Sequence, residues 1–244
     1  MKGRDILIAG CGTGSHSIET AQRFPEAKIL AIDISRTSLA YARRKTREAG
    51  IHNIEYAQAD VLELGTLGRT FDLIEAVGVL HHLSDPAKAW QVLESILRPG
   101  GLMLVGVFSA LAERRINAQR EFIQERQYGA SADDIRRARQ ELIHRGDVLS
   151  SADFFSISGC RALWLNAIEQ QFTIPDIKAL IEDSSFSFLG FEVRSVVRRQ
   201  FEQEFTQPDA ALDLDCWDAF EQAHPSTFTG MYMFWVRKAA PVGR

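Results

Sequence analysis

Cysteine, surplus basic charge and long apolar runs are all scarce in this 244-residue chain, and each scarcity closes off a class of function. The three cysteines, Cys11, Cys160 and Cys216, are far apart and include no CxxC pair. Such a set argues against a disulfide framework or a zinc site and fits a reducing cytoplasm. Lysine and arginine number 28 against 32 aspartates and glutamates, a formal net charge of −4. A nucleic-acid binder would carry the opposite bias. No apolar run reaches the roughly 18–20 residues that cross a bilayer, and Met1 to Asp5 lacks a basic-then-apolar secretion signal. A composition 45% hydrophobic and 25% charged is that of a globular protein. The expectation is a cytoplasmic chain with no membrane and no nucleic-acid partner, of a length suited to one large domain or a domain with a cap.

The first half alternates strand and helix. Ile6 to Ala9 is a short continuous apolar run, and such a run is stable where both faces are buried, as in a parallel sheet. Ser15 to Arg23 reads as a helix, Ile29 to Ile32 as a second strand, and Arg36 to Ala49 as a second helix capped by Ser35. Strands follow at Ile54 to Ala57 and Phe71 to Val77. A helix starting at Ser84-Asp85-Pro86 stops at Pro99-Gly100-Gly101, before a strand from Leu102 to Phe108. Repeated βα units of this kind predict a doubly wound, mostly parallel α/β sheet, with ligands bound at the carboxyl ends of the strands.

At that edge the first turn reads Gly10-Cys11-Gly12-Thr13-Gly14. Glycines there let a ligand approach the backbone without meeting a Cβ. The spacing is GxGxG, whereas a dinucleotide fingerprint is GxGxxG, so a nicotinamide oxidoreductase is disfavoured. Asp33 closes the second strand, where a carboxylate accepts hydrogen bonds from two vicinal ribose hydroxyls; helix capping is its alternative role.

Taken in order, ILIAGCGTG, AIDIS, QADVLEL, FDLIEAVGVLHHLSDP and LRPGGLMLVGVFS resemble the class I S-adenosylmethionine (SAM)-dependent methyltransferases over about residues 5–109. The GVLHHL loop is similar to that of the ubiquinone/menaquinone and general small-molecule branch, and the whole chain resembles methyltransferase regions linked to tetratricopeptide repeats. The resemblance implies a Rossmann-like, seven-stranded sheet, SAM as cofactor, and methyl transfer to a small-molecule or protein side-chain acceptor. It places Gly10, Cys11, Gly12 and Gly14 along the methionine and ribose portion, Asp33 on the ribose hydroxyls and Ile34 on the adenine. Asp60 and Val61 would sit by the adenine amino group, with Ala76 and Val77 at the methionine end. One departure stands out: Ile8 occupies the place, two before the first glycine, where the family commonly has an acidic residue. The family's usual preceding helix also has no residues to form it, so either the sequence is part of a longer protein or an oligomer or upstream domain is the expected cover for that sheet face. A non-catalytic SAM-binding or scaffold module is the competing reading.

His81 and His82 follow the fourth strand and are the candidate bases, histidine being the side chain that titrates near neutrality; packing of the loop is the alternative. His16 lies in the first turn of a helix, where the dipole disfavours its cation. Glu75, a carboxylate in an apolar strand, either lines the substrate pocket or emerges at a polar strand end.

The remainder divides by pattern. Residues 1–108 are the expected SAM-binding core and Ser109 to Phe172 a helical cap. Residues 173–244 supply a helix (Ile174 to Glu182) and strands at Phe188 to Val197 and Gly230 to Arg237. The cap's large apolar groups, Trp164 among them, must be buried against the sheet edge or around a substrate. Its eight arginines between Arg114 and Arg145 are interleaved with five acids, as on a solvated helical face. An acidic insertion from Gln200 to His224 holds seven acids and no lysine or arginine, anchored by Phe201, Phe205, Trp217 and Phe220. It would either solubilise that surface or attract a cationic acceptor.

Overall fold

The computed structural model describes residues 3–148, 152–165, 170–228 and 230–240. Strands β1 (Asp5–Ala9), β2 (Lys28–Asp33), β3 (Ile54–Gln58), β4 (Phe71–Val77) and β5 (Leu97–Phe108) alternate with helices α1 (Ser15–Arg23), α2 (Arg36–Glu48) and α3 (Pro86–Ile96). Two more strands, β6 (Phe186–Phe191) and β7 (Met231–Lys238), complete a seven-stranded sheet in the order β3-β2-β1-β4-β5-β7-β6. β7 is antiparallel to both its neighbours, and the pairings among β1 to β5 are parallel. The order reverses between β1 and β4, which is where such sheets bind ligands.

Burial explains the continuous apolar runs. Along β1, Leu7 and Ala9 enter the core cluster on one face of the sheet while Ile6 and Ile8 enter the cluster on the other. Helix starts follow local chemistry: Ser35 accepts a hydrogen bond from the Ser38 N–H at α2, and Asp85 accepts from Lys88 at α3, with proline in the first turn.

Between β5 and α7 (Ile174–Glu182) the chain is helical: α4 (Ala110–Glu125), α5 (Ala132–His144) and α6 (Ile157–Leu165). These helices enclose a core of their own around Phe122, Ile135, Leu142, Phe154 and Trp164. Ser109 caps α4, Ser131 caps α5, and Thr173 with Asp176 forms a reciprocal capping box on α7.

The strand expected at Phe188 to Val197 is corrected. β6 ends at Phe191, and α8 (Ser195–Glu204) has already begun by Val197. Val193, Val197 and Phe201 are four residues apart, so the apolar period has switched from strand to helix spacing. α9 (Leu214–Ala223) follows, and Phe201, Trp217 and Phe220 anchor this insertion in the main core, with Phe205 partly buried against it. Several of its acids are engaged. Asp215 pairs with Lys178, Glu204 with His224, Asp213 caps α9, and Glu221 is buried, accepting from the Tyr232 and Ser109 hydroxyls. Burial raises the Glu221 carboxyl above its ordinary range.

Among the described residues, no helix is long and apolar enough to cross a membrane. Trp217 stacks on Phe201 at 3.9 Å between ring centroids and is 2% exposed. Trp217→Ala should therefore cost about 3–5 kcal/mol, read as a lower urea midpoint at unchanged m-value. A loss below 1 kcal/mol would show that the insertion is not part of the core.

Candidate active site

The glycine loop leaves β1 held by its neighbours. The Cys11 N–H donates to the Ile32 carbonyl at 2.8 Å, and the Gly12 N–H donates to Asp33 Oδ2 at 2.8 Å. Gly12 has φ of 51°, and a Cβ built on it would meet nothing within 4 Å. The glycine there answers to backbone conformation and to open space above it. Gly10 and Gly14 answer to packing: a Cβ on Gly10 would lie 2.8 Å from Val79, and one on Gly14 2.7 Å from the Ala42 Cβ. Cys11 is buried, and its thiol is pushed up to about 12 by loss of solvent and by the nearby Asp33 carboxylate.

Asp33 and Ile34 stand at the end of β2. The second Asp33 oxygen accepts from the Ser35 N–H at 2.8 Å, so the carboxylate fixes both the glycine loop and the entry to α2. Each oxygen retains a second lone pair for a ligand. Ile34 is 69% exposed, although Ile32, two residues earlier, is buried. At the end of β3, Asp60 accepts from the Leu62 N–H and starts a 3₁₀ turn in which Val61 is buried. Ala76 is buried and Val77 half-buried at the end of β4. The sheet thus brings Gly10, Cys11, Gly12, Gly14, Asp33, Ile34, Asp60, Val61, Ala76 and Val77 to the carboxyl ends of β1 to β4, as expected of neighbouring strands with short connections.

Beneath the loop lies a polar layer that sequence reasoning missed in part. Glu75, only 2% exposed, accepts from the Thr20 hydroxyl at 2.7 Å, and His16 Nε2 lies 2.9 Å from the same oxygen. His16 and Thr20 are four apart in α1 and share its sheet-facing side. Contact with the Glu75 carboxylate raises the His16 pKa, with desolvation opposing it. Alongside, Tyr56 Oη lies 3.2 Å from Ser17 Oγ and 2.8 Å from Thr46 Oγ1, linking β3 to α1 and α2. The i, i+4 spacing of His16 and Thr20 over a strand carrying a lone glutamate was the available signal.

His81 and His82 lie in a 3₁₀ turn after β4 (Leu80–His82), and their environments differ. His81 is 1% exposed and stacks on Phe108 at 4.0 Å; burial and then the neighbouring His82 lower its pKa to about 4. It is neutral at pH 7, and its Nδ1 has no hydrogen-bond partner within the described residues. His82 is exposed. The Gln170 N–H donates to the His81 carbonyl, and the Gln170 side chain donates to the Leu83 carbonyl, tying the end of the helical segment to this turn. Trp164 is buried inside that segment's core, with its indole N–H donating to Gln119 Oε1 at 3.0 Å.

Residues 6–101 match a family model described as a methyltransferase domain. An uncharacterised protein of Synechococcus sp. is 31% identical over 221 residues, which is 85% of this chain and 52% of that protein. Trans-aconitate 2-methyltransferase of Deinococcus radiodurans is 37% identical over 102 residues, 42% of this chain and 37% of that enzyme. Among solved structures, PKMT2 from Rickettsia typhi superimposes with a TM-score of 0.73 at 18% identity, covering 96% of this chain and 48% of that one. The chain spans about half the length, or less, of the relatives it matches.

Tyr56→Phe removes the hydroxyl that reaches both Ser17 and Thr46; Ser17 Oγ keeps its bond to the Gly14 carbonyl, while the buried Thr46 Oγ1 loses its partner. A stability loss of about 1–3 kcal/mol is expected by urea denaturation. No loss would mean that water replaces the hydroxyl and that the polar layer is not a tie.

Proposed function

We propose that the chain is a class I SAM-dependent methyltransferase, a reading supported by the match of residues 6–101 to a methyltransferase-domain model, and that it binds SAM across the ends of β1, β2, β3 and β4. The methyl group passes to a small-molecule or protein side-chain acceptor held beneath the helical segment of residues 109–172, which serves as a cap. The carrying observation is Ile34, an isoleucine left 69% exposed directly beside Asp33 and across from the open space over Gly12. An apolar side chain held out of the core at a ligand-binding edge suits the flat face of an adenine, and the adjacent carboxylate suits ribose hydroxyls. α1 supports the same reading: it has no side-chain cap and no acid in its first turn, so its first N–H groups and positive dipole end remain for the methionine carboxylate.

In this reading Gly10, Cys11, Gly12 and Gly14 line the methionine and ribose portion, Asp60 and Val61 border the adenine, and Ala76 and Val77 face the methionine end. Bound SAM supplies an electrophilic methyl group on a sulfonium. The protein's task is then mainly alignment, an effect worth up to roughly 7–11 kcal/mol. His81, neutral and buried against Phe108, shapes the turn that borders the acceptor. His82, exposed at the same turn, is the candidate general base where the acceptor must lose a proton. The scarcity of basic surplus and the free cysteines support a cytoplasmic setting without nucleic-acid partners.

Calorimetric titration with SAM should show saturable binding, displaced by S-adenosylhomocysteine, with no binding of NAD. Asp33→Ala should weaken SAM binding by about 1.5–3 kcal/mol through loss of hydrogen bonds to a charged group. Gly12→Val should abolish it while the circular dichroism spectrum is retained. Normal SAM affinity in Asp33→Ala would refute the ribose assignment. Once an acceptor is found, His82→Ala should lower kcat about 10²–10⁴-fold if that acceptor needs deprotonation. His81 should contribute no break to the pH–rate profile above pH 5, since it is deprotonated throughout that range.

A further inference from the structure

The helix that follows the glycine loop is weakly held by apolar contact. The buried residues of α1 are Ser17, Thr20 and Ala21, with no large hydrophobic side chain among them. Its position over the sheet therefore depends on polar ties, and two are present: Ser17 to Tyr56, and Thr20 with His16 to Glu75. The second is the deeper. Glu75 comes from β4, the middle strand of the sheet, is 2% exposed, and both these partners come from α1. In the parallel register Glu75 sits directly opposite Ile8 of β1, the strand that runs into the glycine loop. A carboxylate at Glu75 thus stands one strand, about 4.8 Å, from the position where Ile8 supplies none.

We propose that Glu75 is a positioning residue for the cofactor loop: from β4 it holds α1, through Thr20 and His16, at the depth that keeps Gly12 and the first turn of α1 open to SAM. This inference rests on the SAM-binding reading above and names a residue that governs affinity without touching the ligand. Burial of the carboxylate is tolerable because it has a hydroxyl donor and a histidine beside it. The groups facing His16 are Glu75 and Glu19, which favour its cation, and Arg23, which opposes it.

The sign of the pH dependence follows. A histidine whose folded pKa is raised contributes stability that is complete below its ordinary value of 6.5 and is lost as pH rises through the folded value. The tie is therefore complete below pH 6.5 and weakens as pH rises through the folded value. Titration of the amino group of SAM itself is common to every variant and cancels in ratios to wild type.

The test is SAM affinity by calorimetry, and cofactor-free Tm, at pH 6 and pH 9 for wild type, Glu75→Gln, Thr20→Val and Thr20→Ser. Expected are an affinity loss of about ten- to a hundredfold in Glu75→Gln and Thr20→Val at pH 6. Thr20→Ser, which keeps the hydroxyl, should bind as wild type does. The wild-type Tm should fall from pH 6 to pH 9 by more than the Tm of Glu75→Gln. Should Glu75→Gln fail to fold, the Thr20 pair decides alone. Wild-type affinity in Thr20→Val overturns the proposal, as does equal loss in Thr20→Val and Thr20→Ser. If wild type itself binds no SAM at either pH, the failure lies in the cofactor reading.

Discussion

Asp33 is the constraint on which the site edge is built. One oxygen holds the Gly12 N–H and the other the Ser35 N–H, so a single carboxylate fixes the loop after β1 and the start of α2 together. Both bonds are charge-assisted and go to backbone donors, which makes them short and directional. With the loop held in this way, Gly12 takes a positive φ over open space and Ile34 is left outside the core. The features that fit an adenosine ligand are consequences of that one side chain's placement.

Much of this was legible in the sequence, for a physical reason. Strands buried on both faces are mostly apolar, and β1 and β2 hold continuous apolar runs while β4 is broken only by Asp72 and Glu75, so their ends and the residues just past them could be located by inspection. Gly10, Asp33 and Asp60 sit at those ends, and the order of the strands brought them together. Where one period gave way to another the reading slipped. The apolar residues from Phe188 to Val197 look like one strand, but the strand ends at Phe191, and Val197 and Phe201 already lie in a helix. Partnerships across the sheet were not legible. That Glu75 faces Thr20 and His16 depends on the β1–β4 register, and a register between partners 67 residues apart, as Ile8 and Glu75 are, leaves no local trace.

The two histidines show how burial separates neighbours of identical chemistry. His81 is enclosed by Phe108 and the Gln170 segment and is kept neutral, whereas His82 faces solvent. The helical segment is coupled to this turn at its end through Gln170 and at its start through Ser109, which both caps α4 and donates to the buried Glu221. The acidic insertion thereby reaches the root of the helical segment through a carboxylate that never meets solvent.

The place of β7 has a consequence for how the chain is made. It is the last strand in sequence, yet it lies between β5 and β6 and supplies hydrogen bonds to both. A growing chain must therefore carry two unpaired strand edges, one of them at the centre of the apolar core, until residues 231–238 leave the ribosome. Exposed edges of this kind are templates for pairing with other chains. Premature termination before Met231 would not give a smaller working sheet but an aggregation-prone one, and the need for chaperones should persist until β7 has emerged and paired.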